Sequence, residues 1–266
     1  MAKTESGDLP QRSRQAERRE QEMKAVVEEG SVRIEDLAKR FGISLMTMHR
    51  DLDELEARGI VRKSRGLATA TATSLVESSD VYRVGREQVE KDVLARACME
   101  YIEPGQSVFL DDSTTVRHIA GSIGDRVPLT VVTNALPLIN ALRDVRGISL
   151  IALGGTFYGW CSAFMGHTTT EEISRLRVDV AIMSTAAIVD DECFHQQQET
   201  VDVKRAMFQS SARRILLADH TKFEKRALYG LAPLKAFDLV IVDAATAEEH
   251  VNRLRASGID VIVAPG

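Results

Sequence analysis

Seven short runs rich in Val, Ile and Leu recur through the C-terminal two thirds of the chain: Ser107–Asp111, Leu129–Thr133, Ser149–Leu153, Val178–Met183, Ile215–Asp219, Leu239–Asp243 and Val261–Ala264. Each is too short for a helix and too continuously apolar for a strand with one wet face. Such runs are strands buried on both sides. Helical segments separate them, so successive strands connect by crossovers. The expected fold class is α/β with a mostly parallel sheet. In open sheets of this kind, ligands sit beyond the carboxyl ends of the strands. The polar residues that follow each run are therefore the ones to weigh.

The first run continues as Leu110-Asp111-Asp112-Ser113-Thr114-Thr115, with a helical segment from Val116. Hydroxyls and free amides at a helix N-terminus attract anions, although Thr114 and Thr115 serve equally well as plain helix caps. Thr133-Asn134 closes the second run, Leu153-Gly154-Gly155 the third, and Asp219-His220-Thr221-Lys222-Phe223 the fifth. Glycines let a backbone approach a ligand closely, and the last of these loops joins a carboxylate to a cation. Asp111, Ser113, Thr114, Thr115, Arg117, Asn134, Gly154, Gly155, Asp219 and Lys222 are the candidate effector residues. Glu199 and Lys204, ahead of a helix expected over Arg205–Ser211, read as an exposed ion pair. A helix is expected from Tyr82 to Ile102, with Val89, Val93, Leu94, Ala97 and Tyr101 inward.

The front of the chain follows another pattern. Arg12–Glu29 is a charged helix with Ala16, Met23, Val26 and Val27 as sparse anchors, and its charges read as a solvated face. Ile34, Leu37, Ala38 and Phe41 form one apolar face, and Gly42 turns the chain. Ser44 then suits the N-cap of a helix in which Leu45, Met48, Leu52 and Leu55 make the buried stripe. Met46, Thr47 and Arg50 point away from that stripe, with His49 on its flank. This is the pattern of a recognition helix, though any amphipathic surface helix shares it. Two β-like stretches flank Arg65-Gly66, and Arg58, Arg62, Lys63 and Arg65 come with no acid between them. A basic hairpin at this place is either a wing on the phosphate backbone or a solvated turn. Ser44, Met46, Thr47, His49, Arg50, Arg62, Lys63 and Arg65 are the candidate DNA contacts.

A net charge of -5 gives no global attraction to nucleic acid, so DNA binding must rest on the local distribution. Cys98, Cys161 and Cys193 are widely spaced and form no CxxC pair, which argues against zinc and disulfides. No metal and no cofactor are expected, and no apolar run reaches membrane-spanning length. A soluble, cytoplasmic chain is expected. Its parts are a winged helix-turn-helix over 12–72, an Ala/Thr/Ser linker over 73–80 and an effector-sensing domain over 81–266.

Residues 24–68 resemble the DeoR family of bacterial transcriptional regulators. Ser44, Thr47, Arg50, Asp51, Leu52, Gly59, Gly66 and Ala68 match the family pattern, while Met48, His49, Lys63, Arg65 and Leu67 depart from it. Asp111 with Thr114 and Thr115, Thr130 to Asn134, Leu153 to Gly155, Lys204 with Arg205 and Met207, and Asp219 with Lys222 and Phe223 resemble the family's sensor motifs. The resemblance implies a Rossmann-like domain of the ribose-5-phosphate-isomerase type and a regulator, most often a repressor of a carbohydrate operon. It also implies operator DNA, a homodimer or homotetramer, and a sugar phosphate or related polyol as effector. Ser113 stands where the family has Gly, and Asp112 adds a carboxylate beside the expected phosphate, with Arg117 placed to offset it. The alternative is an isomerase-like enzyme with a DNA-binding module, its base drawn from Asp111, Asp112 or Asp219.

Overall fold

A computed structural model describes residues 11–57, 59–71 and 80–266. They divide into two units, Met1–Tyr82 and Arg83–Gly266. The first unit runs α1 (Gln11–Glu29), β1 (Ser31–Arg33), α2 (Ile34–Arg40), α3 (Leu45–Ala57), β2 (Val61–Ser64) and β3 (Leu67–Ala70). The strands form one antiparallel sheet in the order β1-β3-β2. Ser64 pairs with Leu67, so Arg65-Gly66 is a two-residue hairpin loop. Both loop residues have positive φ, 49° and 77°, the twist that suits a tight hairpin. Met23, Val26, Leu37, Met48, Leu52, Leu55, Ile60 and Ala68 close the core beneath this wing. Leu45, expected in the buried stripe, is exposed. It occupies the first helical position, and Ile43 from the preceding turn packs on the core instead.

Arg58 and residues 73–79 of the expected linker lie outside the described residues, and Asp80 opens a helix, Asp80–Val84. The single helix expected over Tyr82–Ile102 is interrupted. Gln88–Cys98 begins after Glu87, whose φ is 49°, and a 3-10 turn, Met99–Tyr101, ends the segment. The break leaves carbonyls free, and the buried Lys91 ammonium accepts this role by donating to the carbonyls of Arg83 and Arg86. The interruption also changes the helical phase. Val89, expected inward, is 71% exposed, while Val93, Leu94, Ala95 and Cys98 face the core.

The second unit is built on β4 (Ser107–Leu110), β5 (Leu129–Thr133), β6 (Ile148–Ala152), β9 (Val178–Ser184), β12 (Ser211–Ala218), β14 (Leu239–Val242) and β15 (Val261–Val263). These are the seven apolar runs, within a few residues at their ends. They form one sheet in the order β15-β14-β12-β9-β4-β5-β6, and every pairing in it is parallel. In the central strands, successive residues enter opposite cores. Phe109, Val132, Met183, Leu216 and Val240 pack with helices His167–Ser174, Gln198–Gln209 and Glu248–Ala256. Val108, Leu110, Val131, Ile182 and Ile241 pack with Gln88–Cys98 and Leu136–Leu142. Burial on both faces is why the central runs carry no alternation, whereas the edge strand β6 has no buried residue and exposes Ser149, Ile151 and Ala152.

Two small antiparallel additions were not legible as strands. β7 (Thr156–Tyr158) pairs with β8 (Ala163–Met165), and β10 (Ala187–Val189), β11 (Glu192–His195) and β13 (Tyr229–Pro233) form a three-stranded sheet. The large sheet grows outward from β4 through β5 to β6, then returns to the other side of β4 with β9. The strand order therefore reverses between β4 and β9. A crevice opens at such a reversal because the flanking connections leave in opposite directions.

Candidate DNA interface and ligand site

In the first unit, Ser44 caps α3: the Thr47 amide donates to its Oγ at 3.2 Å. Met46 is 80% exposed, Arg50 is exposed, and Thr47 and His49 are partly so. Met48, Leu52 and Leu55 face the core, so the orientation of this helix is set by burial. Asp51 is fully buried on the inner side of α3. It accepts from Arg18 Nε at 3.0 Å, Arg19 Nε at 3.2 Å and Gln15 Nε2 at 3.3 Å. Burial acts to raise its pKa, but these hydrogen bonds prevail and hold the carboxyl below its ordinary range. The charges of α1 are thus not only a solvated face. Three of its side chains anchor the recognition helix.

Arg62 and Arg65 are exposed on the wing. Lys63 is placed differently from expectation. Its ammonium pairs with Asp53 of α3, and its amide donates to Glu56 Oε1 at 2.8 Å. Lys63 therefore ties the wing to α3, and the outward cations of the hairpin are Arg62 and Arg65.

In the second unit, Asp111 follows β4 and meets the end of β9 at the strand-order reversal. Its Oδ1 accepts from the Ser113 amide at 2.9 Å and from the Ser113 hydroxyl. Its Oδ2 accepts from the Ser184 amide at 2.9 Å and from the ammonium of Lys204. Lys204 is 1% exposed and also donates to the Ser184 carbonyl at 3.1 Å. The exposed pair expected of Glu199 and Lys204 is corrected by the phase of helix Gln198–Gln209. Lys204 lies on its inner face with Val201, Val203 and Met207.

The Asp111–Thr115 loop differs from an anion cradle at a helix end. The helix that follows, Thr114–Arg117, is one turn long. Its Val116 amide is taken by Ser113 Oγ at 3.3 Å, so Ser113 is the cap and Thr114 and Thr115 are not. Both threonines are buried, and Thr115 Oγ1 lies 3.5 Å from Ser184 Oγ. Arg117 donates to the carbonyls of Asp112 and Cys161, at 3.2 and 2.9 Å.

Asn134 is buried after β5, next to β4, and its Nδ2 donates to the Phe164 carbonyl at 2.9 Å. Gly154 and Gly155 approach the chain itself. The Gly154 carbonyl accepts from Thr169 Oγ1 at 2.6 Å, and its amide donates to Glu172 Oε2 at 3.1 Å. A Cβ at Gly155 would lie 2.1 Å from Thr169 Oγ1 and 2.8 Å from the Met165 carbonyl. The glycines lock β6 onto helix His167–Ser174.

Asp219, fully buried after β12, forms an ion pair with Lys222 at 3.1 Å and accepts from the Thr221 amide, also at 3.1 Å. Burial pushes its pKa up, yet Lys222 and Thr221 outweigh that and hold it below the ordinary carboxyl range. His195 of β11, which the sequence did not mark, is buried within electrostatic reach of Lys204. Burial first, then the charges of Lys204 and Arg83, push its imidazole well below its ordinary pKa, so the ring is neutral at physiological pH. A separate open depression of about 390 Å³, lined by residues including His167, Thr170, Glu199 and Arg205, contains none of the candidate effector residues. Among the described residues no helix is long and apolar enough to cross a membrane, and no group of His, Cys, Asp and Glu is arranged to hold a metal.

The family model of the DeoR-like helix-turn-helix domain matches residues 18–74, and that of the DeoR C terminal sensor domain matches residues 86–244. The chain is 30% identical to the HTH-type transcriptional repressor GlcR of Bacillus subtilis, over 86% of this chain and 88% of that one. It is 29% identical to the glycerol-3-phosphate regulon repressor of Escherichia coli, over 87% and 92%. Among solved structures, ribose 5-phosphate isomerase from Plasmodium falciparum is similar with a TM-score of 0.37 and 16% identity, over 50% of this chain and 51% of that one.

Proposed function

This chain belongs to the DeoR family of DNA-binding transcriptional regulators, and from that premise we propose that it represses a carbohydrate operon and is released by a phosphorylated sugar or polyol. Operator bases are read by Thr47, Arg50 and the exposed Met46 and His49, while Arg62 and Arg65 hold phosphates. The effector binds at the ends of β4, β5, β9 and β12, against Asp112, Asn134 and the Asp219–Lys222 pair. The observation that carries this reading is the buried Asp111–Lys204–Ser184 cluster at the strand-order reversal, where an α/β sheet places its ligand. Relatives named for glycerol-3-phosphate and for repression favour the same chemistry. Repetition of half-sites on operator DNA favours a homo-oligomer acting in the cytoplasm.

Of the three candidate isomerase bases, Asp111 and Asp219 are each committed to ion pairs and hydrogen bonds, while Asp112 has only the Lys204 ammonium 3.7 Å from its Oδ1. The lowered pKa of Asp219 makes that carboxylate a poor proton acceptor, which favours a binding site over a catalytic one. An effector acts by binding two conformations with different affinity, and the coupling to DNA is reciprocal. Selection of duplexes from a random pool, followed by titration with a panel of sugar phosphates, tests the proposal. Arg50→Ala should weaken the selected operator by about 1–3 kcal/mol for a lost base contact, with random DNA bound as before. A wild-type chain that selects no sequence, or whose operator affinity no phosphorylated sugar alters, refutes it.

A further inference from the structure

Several buried polar atoms near the strand ends receive no hydrogen bond from the described residues, among them one oxygen each of Asp112 and Asn134. Asp112 is 2% exposed and Asn134 fully buried. Among the described residues, neither Asp112 Oδ1 nor Asn134 Oδ1 receives a hydrogen bond. Lys204, ion-paired with Asp111, stands 3.7 Å from Asp112 Oδ1, beyond hydrogen-bonding reach. Arg117 donates to the carbonyl of Asp112 and to that of Cys161. The Asn134 amide is oriented by the Phe164 carbonyl, which only accepts; Nδ2 must face it, and Oδ1 is turned the other way.

The two residues stand at the same end of the sheet. They follow β4 and β5, which are neighbours with Leu110 beside Thr133. The segment Cys161–Phe164 touches both loops, through Arg117 on one side and Asn134 on the other. A buried carboxylate oxygen and a buried amide oxygen that accept no hydrogen bond are unfavourable in the folded chain alone. Lys204 offsets the charge of Asp112 from 3.7 Å, but its hydrogen bonds go to Asp111 and to the Ser184 carbonyl.

We propose that Asp112 determines specificity in the effector site: with Asn134 it accepts hydrogen bonds from a hydroxyl or ammonium group borne by the effector on the carbons away from its phosphate. This rests on the strand-end reading of the effector site and adds to it the group that is read. Asp112 thereby selects a ligand with polar hydrogens at this position over its deoxy counterpart, because the deoxy ligand leaves both oxygens buried without a hydrogen-bond donor.

Two measurements on the full chain test it. The first needs no ligand. Asp112→Asn keeps the shape and removes the charge, and it should melt at or above the wild-type temperature. A clear drop in melting temperature would mean that Asp112 serves the fold, and overturns the proposal. The second uses glucose 6-phosphate, glucosamine 6-phosphate, 2-deoxyglucose 6-phosphate and glycerol 3-phosphate as probes in calorimetric titrations. For probes that the wild type binds, Asp112→Ala should weaken affinity about ten- to a hundredfold, the range for a hydrogen bond to a charged group. Asp112→Asn should weaken a hydroxyl partner less than Asp112→Ala does, since it keeps an acceptor, and an ammonium partner as much. Unchanged affinity in Asp112→Ala overturns the proposal while leaving the site reading intact. That reading fails separately if Lys222→Ala and Asn134→Ala also bind as the wild type does. If the wild type binds none of the probes, the melting comparison decides the proposal by itself.

Discussion

Lys204→Met is the sharpest perturbation the structure offers. The substitution keeps an unbranched side chain of similar length and removes one charge. Lys204 is 1% exposed, and its two acidic neighbours, Asp111 and Asp112, are 0% and 2% exposed. Water cannot replace the lost cation at such a place. Both carboxylates stay buried, and Asp111 retains only the donors from Ser113 and Ser184. Breaking a buried pair by removing one partner costs about 3–5 kcal/mol. For a domain of this size, that lowers the melting temperature by roughly 6–20 °C. The chain has a single tryptophan, Trp160, which packs against the core on one face of the large sheet. Its fluorescence reports unfolding of the second unit alone, so urea titration of the full chain gives the quantity directly. Asp111→Asn should relieve part of the loss, giving a coupling of about 0.5–3 kcal/mol in a double-mutant cycle. Lys204→Met within about 1 kcal/mol of wild type, below the surface-pair limit, would refute the reasoning, because a cation of so little consequence is not neutralising a buried site.

Glu22, buried between α1 and α3, has its pKa raised to about 7 by burial first and by the charge of Asp51 second, against Arg18 and Arg19. A raised carboxyl pKa means that the folded form holds a proton the unfolded form has lost. Its contribution is therefore full below about 4.5 and disappears as pH rises through about 7. Helical circular dichroism melts of the first unit should show Glu22→Gln flattening this loss, with its gain over wild type larger at pH 8 than at pH 5. Arg65→Ala should reduce the salt dependence of DNA binding by about one unit of slope, and Lys63→Ala by less, since Lys63 is paired with Asp53. Equal slopes in the two variants would place Lys63 on a phosphate after all. Gly155→Ala should destabilise the second unit by about 2–4 kcal/mol. The new methyl group meets Thr169 Oγ1 at a φ of 136°; a Trp160-monitored urea midpoint equal to wild type would exclude that clash.

The sequence by itself determined the strands of the large sheet and the recognition helix. Seven apolar runs separated by helices admit little but a parallel α/β sheet, and Ser44, Met48, Leu52 and Leu55 set the phase of the recognition helix through capping and burial. These are local properties, written in spacing. Strand order was not among them. The reversal between β4 and β9 brings Asp111 and Ser184 together across 73 positions of chain, and Lys204 joins from 93 positions away. No periodicity records such meetings, so Lys204 read as a surface charge and His195 went unmarked. Lys63 and Gly155 were misplaced for the same reason: their partners, Asp53 and Thr169, are chosen by packing between elements. A charged residue in a sequence carries its charge but not its solvent. Only the tertiary structure decided which charges water would screen and which would have to be answered by another side chain.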